Sequence, residues 1–151
     1  MSVDYIVASL PELHFAEKAP ISWEDFLARA GDCLDLGGFD ELETEIRNAM
    51  AEARSGEEFK RGSKTVSLYW KNRTLACFQE QDVARRERML DKVWWDAAAA
   101  LTDVTSPLGK GALATYAVRL KIALKYSRLS GEEGARVLER AISPAIDVNL
   151  T

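Results

Sequence analysis

The chain has a single histidine, His14, and two cysteines, Cys33 and Cys77, with 43 residues between them. One histidine cannot build a histidine cluster around a metal, and no Cys-x-x-Cys pair exists to help it. Nor can His14, near the N-terminus, serve a nearby serine or cysteine nucleophile as a triad base. Two widely separated cysteines do not make a disulfide framework, and a reducing cytoplasm suits them. Four prolines and nine glycines are too few for a loop-rich or disordered chain. No apolar run reaches the ~18 residues of a membrane span. The longest candidate, Val93 to Leu101, is interrupted by Asp96. Asp4 and Pro11 likewise break up an early run that would read as a signal peptide. No direct membrane insertion is expected.

Nucleotide motifs are missing as well. There is no Gly-x-Gly-x-x-Gly junction, and Gly56 to Lys64 lacks the Gly-Lys-Ser/Thr ending of a phosphate loop. No EF-hand pattern occurs. Gly109-Lys110-Gly111 reads as a close-packing site in preference to an anion site. No catalytic, cofactor-binding or metal-binding residue is therefore assigned.

What is present is ordinary globular material. The chain is 151 residues long, 47% hydrophobic and 29% charged, enough for one domain over 1–151 with a real core. The net charge of −4 gives no reason to expect a polyanionic partner. Its distribution is uneven. Residues 1–60 hold 14 acids and 5 bases, whereas residues 61–130 hold 6 acids and 13 bases. The two regions either mix on the folded surface or leave a basic face for an acidic partner. Arg85, Arg86, Arg88 and Lys92 lie near Trp94 and Trp95, but Glu87 and Asp91 interleave with them. With no recognised motif, nucleic acid is not the expected partner.

Helical periodicity dominates. Residues 3–10 form a short apolar run that is either a strand or a buried helix. Ser22-Trp23-Glu24-Asp25 starts a helix, with Trp23, Phe26, Leu27 and Ala30 on one face. Asp40 caps a second, carrying Leu42, Ile46, Ala49, Met50 and Ala53, which Ser55-Gly56 ends. Residues 56–65 are polar and read as an exposed loop, and Val66, Leu68 and Trp70 alternate as a short extended piece would. A long helix follows from about Gln79, with Val83, Leu90, Val93, Trp94, Ala97 and Leu101 on one face. Ser106 and Pro107 open the next, to about Leu129. Ser130 with Glu133 caps a last one that Pro144 closes, leaving a loose tail over 144–151. The fold class is all-α: a compact bundle of about five helices built on a long antiparallel hairpin. A short extended N-terminal segment remains the alternative for 3–10.

Charges lie within the hairpin's pattern. Projected at 100° per residue, Leu113, Ala117, Leu120 and Leu124 form one apolar stripe of the later helix, and Val118, Ile122, Tyr126 and Leu129 another. Such a helix is central and packed on two sides. Arg119 falls between the stripes and needs a partner. Asp91 on the preceding helix is the first candidate and Glu87 the second. Lys121, Lys125 and Arg128 share a solvated stripe open to a partner. Trp94 belongs to the core face. Trp95 points away from it, either beneath the N-terminal helices or outward as a partner-binding anchor.

Tyr5-Ile6-Val7-Ala8-Ser9-Leu10-Pro11-x-Leu13 is similar to the N-terminal signature of a bacterial family, domain of unknown function 2764. Arg88-Met89-Leu90-Asp91-x-x-Trp94, Leu113-Ala114-x-Tyr116-x-x-x-Leu120-Lys121-Ile122 and Leu129 to Gly134 resemble its later block. The resemblance spans both ends of the chain, with a weaker middle, and relatives are usually longer. Members tend to be encoded beside V/A-type ATPase subunits and look distantly like the helical central-stalk subunit called C or d. The resemblance implies a cytoplasmic, non-catalytic interaction module, peripheral to the membrane through an ATPase, with stalk or rotor subunits as partners. It supplies no catalytic residues. The alternative is a small enzyme or ligand-binding domain.

Overall fold

The computed structural model describes residues 2–36, 39–55 and 68–130. Six α-helices and two 3-10 turns lie among them, with no strand among the described residues. The expected loop over 56–65, the helix after Ser130 and the tail over 144–151 lie outside the described residues.

Val3–Ser9 forms α1, so the N-terminal run is helical and not extended. Ile6 is its buried residue. Helix α2, Trp23–Ala30, starts where its cap requires: the Ser22 hydroxyl accepts the Asp25 backbone N–H at 3.1 Å. Gly31 ends it at φ 55°, a left-handed conformation that glycine adopts without penalty. Helix α3 spans Phe39–Ser55, so Asp40 lies within the helix and not at a cap position before it.

Helix α4, Leu68–Cys77, overturns the expected extended piece, since both Leu68 and Trp70 are helical. Its buried side is marked by Trp70, Thr74 and Cys77, at helical spacing. Thr74 is fully buried, and its hydroxyl donates to the Trp70 carbonyl at 2.8 Å. A satisfied polar residue at a core position hides the 3.6-residue period from a hydrophobicity reading.

Helix α5, Val83–Ala98, is capped by Asp82, whose carboxylate accepts the Arg85 N–H at 3.2 Å. A 3-10 turn, Ala99–Leu101, extends it. Helix α6 is Lys110–Ser130, three residues later than Pro107 predicted. Ser106 and Pro107 instead make a turn, closed by the Gly109 N–H on the Ser106 carbonyl at 3.0 Å.

Helices α5 and α6 meet through bonds that run in opposite directions along the two helices. Thr115 donates to the Ala98 carbonyl at 2.7 Å, Arg119 to that of Trp95 at 3.0 Å, and Lys125 to Asp91 at 2.8 Å. The longer connection shifts this register by about one helical turn from that of a tight turn at 105–106.

Two apolar clusters flank the pair. One joins Ile6, Ile21, Phe26 and Ala30 to Leu113, Ala117 and Leu120 of α6. The other joins Ile46, Cys77, Leu90, Val93 and Ala97, with Met50, Trp70, Phe78 and Trp94 against it. Helix α6 packs on α1 and α2 as well as on α5, as its broad apolar surface requires. The loop before α2 crosses the α5–α6 seam. Ala16, at φ 63°, turns Phe15 inward, where its edge meets Trp95 at 5.6 Å and Tyr126 at 5.7 Å. The Ala19 N–H fastens the loop's end to the Ser127 hydroxyl at 2.7 Å.

Candidate functional site

The register shift redistributes the charges. Arg119 is half-buried and does not pair with Asp91. Its Nε donates to the Trp95 carbonyl, and its guanidinium lies 5.1 Å from the Trp95 ring centre. Burial depresses its basicity, and the nearby Asp96 carboxylate opposes that effect. Asp91 instead accepts Lys125 Nζ at 3.0 and 2.8 Å and the Tyr126 hydroxyl at 3.1 Å. Burial, with Asp91's charge and hydrogen bond, pushes the Tyr126 phenol up. Glu87, the second expected partner, faces neither Arg119 nor its ring contact among the described ion pairs and hydrogen bonds.

Asp96, absent from the expected constellation, is the real junction. It accepts Arg73 Nη1 of α4 at 2.8 Å and lies 3.1 Å from Lys92 Nζ. Burial alone would raise its carboxyl. The hydrogen bonds and charges of Arg73 and Lys92 outweigh burial and hold it below the ordinary carboxylate range. A depressed folded pKa stabilises above the unfolded value and stops doing so as pH falls through the folded one. Asp96→Asn is expected to cost about 1–2 kcal/mol at pH 7, discounted for partial exposure. Urea denaturation at pH 7 and pH 3 checks this: the gap between variant and wild type narrows at pH 3.

Trp95 takes the first of its two expected places, beneath the N-terminal region, whereas Trp94, expected in the core, is only partly buried. Trp95 is buried, at 6% exposure, under Arg119 and Phe15, and offers no anchor to a partner. Trp94 packs only one side on the core. Its other side opens into a groove of about 420 Å³ between α3 and α6. Leu36, Phe39, Val118 and Ile122 supply the groove's apolar surface, and Asp40, Glu43, Arg47 and Lys121 its charges. Phe39 tilts against Trp94 at 5.7 Å, and the Arg47 guanidinium lies 5.9 Å from the Trp94 ring while donating to Glu43 at 2.8 Å.

Lys121 stands on a ridge and also lines a second, shallower groove of about 650 Å³, between α2 and α6. That groove has Trp23 and Leu124 as apolar walls, Ser22, Glu24 and Ser127 at its edges, and Arg128 at its far end. Lys121 Nζ lies 4.9 Å from the Trp23 ring centre. Trp23 is held from behind by Phe26 at 5.3 Å, which stacks on Tyr116 at 5.5 Å. The Tyr116 hydroxyl donates to the Pro11 carbonyl at 2.6 Å, and burial pushes that phenol up to about 12.

Of the three cations expected on a solvated stripe, Lys125 is taken by Asp91, while Lys121 and Arg128 share the second groove. Sequence reasoning missed Phe39, Arg47 and Trp23 as groove residues. Only the i, i+4 spacing of Lys92 and Asp96 signalled part of the internal network. Among the described residues no cluster of metal-ligating side chains occurs, and no helix is long and apolar enough to cross a membrane. Comparison of the chain with protein-family models, curated proteins and solved structures finds no match in any of the three.

Proposed function

We propose that this chain is a non-catalytic protein-interaction module, an accessory or central-stalk-like component associated with a V/A-type ATPase. The observation that supports an interaction role is the α3–α6 groove, with Phe39 and Trp94 side by side and Arg47 over the indole. Tryptophan and arginine at the centre of an apolar patch are the residues on which protein partners gain most affinity. The ATPase assignment rests on the resemblance of the Tyr5–Leu13 and Arg88–Gly134 motifs. It places the protein in the cytoplasm, held at the membrane through the complex.

The test is retention of purified stalk and rotor subunits of the cognate ATPase at low and moderate salt. Wild type is expected to retain one of them, and Trp94→Ala to weaken that binding by roughly 30-fold, the effect of a ~2 kcal/mol hot spot. Circular dichroism verifies that the variant is folded. If wild type retains no subunit at either salt, the ATPase assignment falls. A second reading, a ligand-binding domain, draws on the groove's volume, which lies within the range of small-molecule sites. Saturable binding of a small metabolite, abolished by Trp94→Ala, would favour it.

A further inference from the structure

We infer that the α2–α6 groove docks an acidic, amphipathic helical segment of a partner protein, with Lys121 and Arg128 as its two cationic posts. The inference rests on the interaction-module reading but not on the ATPase assignment.

Its basis is how the fold disposes of its positive charge. Three cations on α4, α5 and α6 are neutralised internally. Arg73 and Lys92 share Asp96, and Lys125 holds Asp91. Lys121 and Arg128 are exposed and, among the described residues, form no ion pair. Both line one groove, whose single carboxylate is Glu24. The Lys121 charge rests on the Trp23 face, which holds the ammonium over an apolar wall. Trp23 and Leu124 provide the apolar surface between and beside the posts.

Spacing narrows the occupant. Seven residues of α6 separate the posts by roughly 10 Å along the axis. Two carboxylates seven residues apart on an antiparallel or parallel helix match that span, with an apolar residue between them against Trp23 and Leu124. A basic segment would meet like charge, and an apolar one would leave both cations uncompensated on desolvation.

The probe is a synthetic fluorescein-labelled helical peptide with glutamates seven residues apart and leucines between them. Anisotropy titrations compare it with its lysine counterpart and with a single-stranded oligothymidylate. The expected result is salt-sensitive binding of the acidic peptide alone. Double charge reversal, K121E with R128E, is expected to weaken it roughly 10-fold, and K110E, remote from the groove, to leave it unchanged. Because all three side chains are exposed, the variants are expected to fold, and K121Q with R128Q should give an intermediate loss. Amide-shift mapping should place the bound peptide on the Trp23 indole and on 121–128. The inference is overturned if the acidic peptide fails to bind, binds the reversed variant equally well, or binds no better than the basic peptide or the oligonucleotide. Acidic-peptide binding without retention of ATPase subunits would sink the assignment while leaving this docking site intact.

Discussion

Phe26→Ala is expected to lower stability by about 3–5 kcal/mol and the melting temperature by roughly 10 °C. Phe26 is fully buried, and it is the largest side chain of the cluster that joins the N-terminal helices to α6. Trp23 lies against one side of it and Tyr116 stacks on another. Those aromatics cannot close over the void without leaving their own contacts. Trp23 is the first residue of α2, fixed behind the Ser22 cap, and Tyr116 is tied to Pro11. The cavity therefore stays open, which places the cost near the top of the range for such truncations. Differential scanning calorimetry measures the shift. The variant is also expected to bind the acidic helical peptide less tightly, because the Trp23 wall loses its support. A loss below about 1 kcal/mol would show that the cluster collapses freely and is not the rigid backing described.

Gly111→Ala is expected to cost about 2 kcal/mol, against the direction that helix propensity predicts. Alanine in a helix interior gains about 1 kcal/mol over glycine. Here the added methyl group would fall onto the Leu101 carbonyl oxygen, with the Leu101 carbonyl carbon at 3.1 Å and Thr102 Cα at 3.2 Å. These are backbone atoms of the 3-10 turn and its cap, and they cannot rotate away as a side chain can. The turn would have to retreat, pulling Thr102 from its 2.8 Å bond with Thr115. Overpacking of 1–3 kcal/mol or more then exceeds the propensity gain. Gly109→Ala serves as the comparison: its new neighbours would be Ser106 atoms at 3.2 Å, and a loss under about 1 kcal/mol is expected. Urea denaturation of the two variants checks the difference.

The helices themselves were legible because their signals are local. Ser22 caps α2 through a bond three residues away, as its sequence context predicts. The broad apolar surface of α6 likewise foretold a helix packed on two sides. What failed was register. A wheel projection ranks residues around one helix but says nothing of how far it slides along its neighbour. A 3-10 turn and a late start for α6 moved Arg119 from Asp91 to Trp95, and gave Asp91 to Lys125. The partial exposure of Trp94 has a related origin. Helix α5 buries two faces, with Val93 and Ala97 toward one cluster and Trp95 under the Phe15 loop, leaving Trp94 at the edge. Of the second groove only the Lys121 and Arg128 stripe was legible, because Trp23 and Lys121 meet only through tertiary packing. The Lys121 charge and the Trp23 ring carry no pattern in common along the chain.

The cluster between the first helices and α6 also governs the order of events during synthesis. Residues 6–30 emerge early, yet the surface that buries them lies at 113–124. Pro11 waits for Tyr116, 105 residues later, and Ala19 for Ser127, 108 residues later. At translation speeds of roughly 5–20 residues per second, Ile6, Ile21 and Phe26 stay uncovered for several seconds. Such long-range closure slows folding relative to a bundle whose neighbours in sequence are neighbours in space. A nascent chain stalled before residue 110 would hold α1 and α2 without their core partner and expose Phe26 to any chaperone at hand.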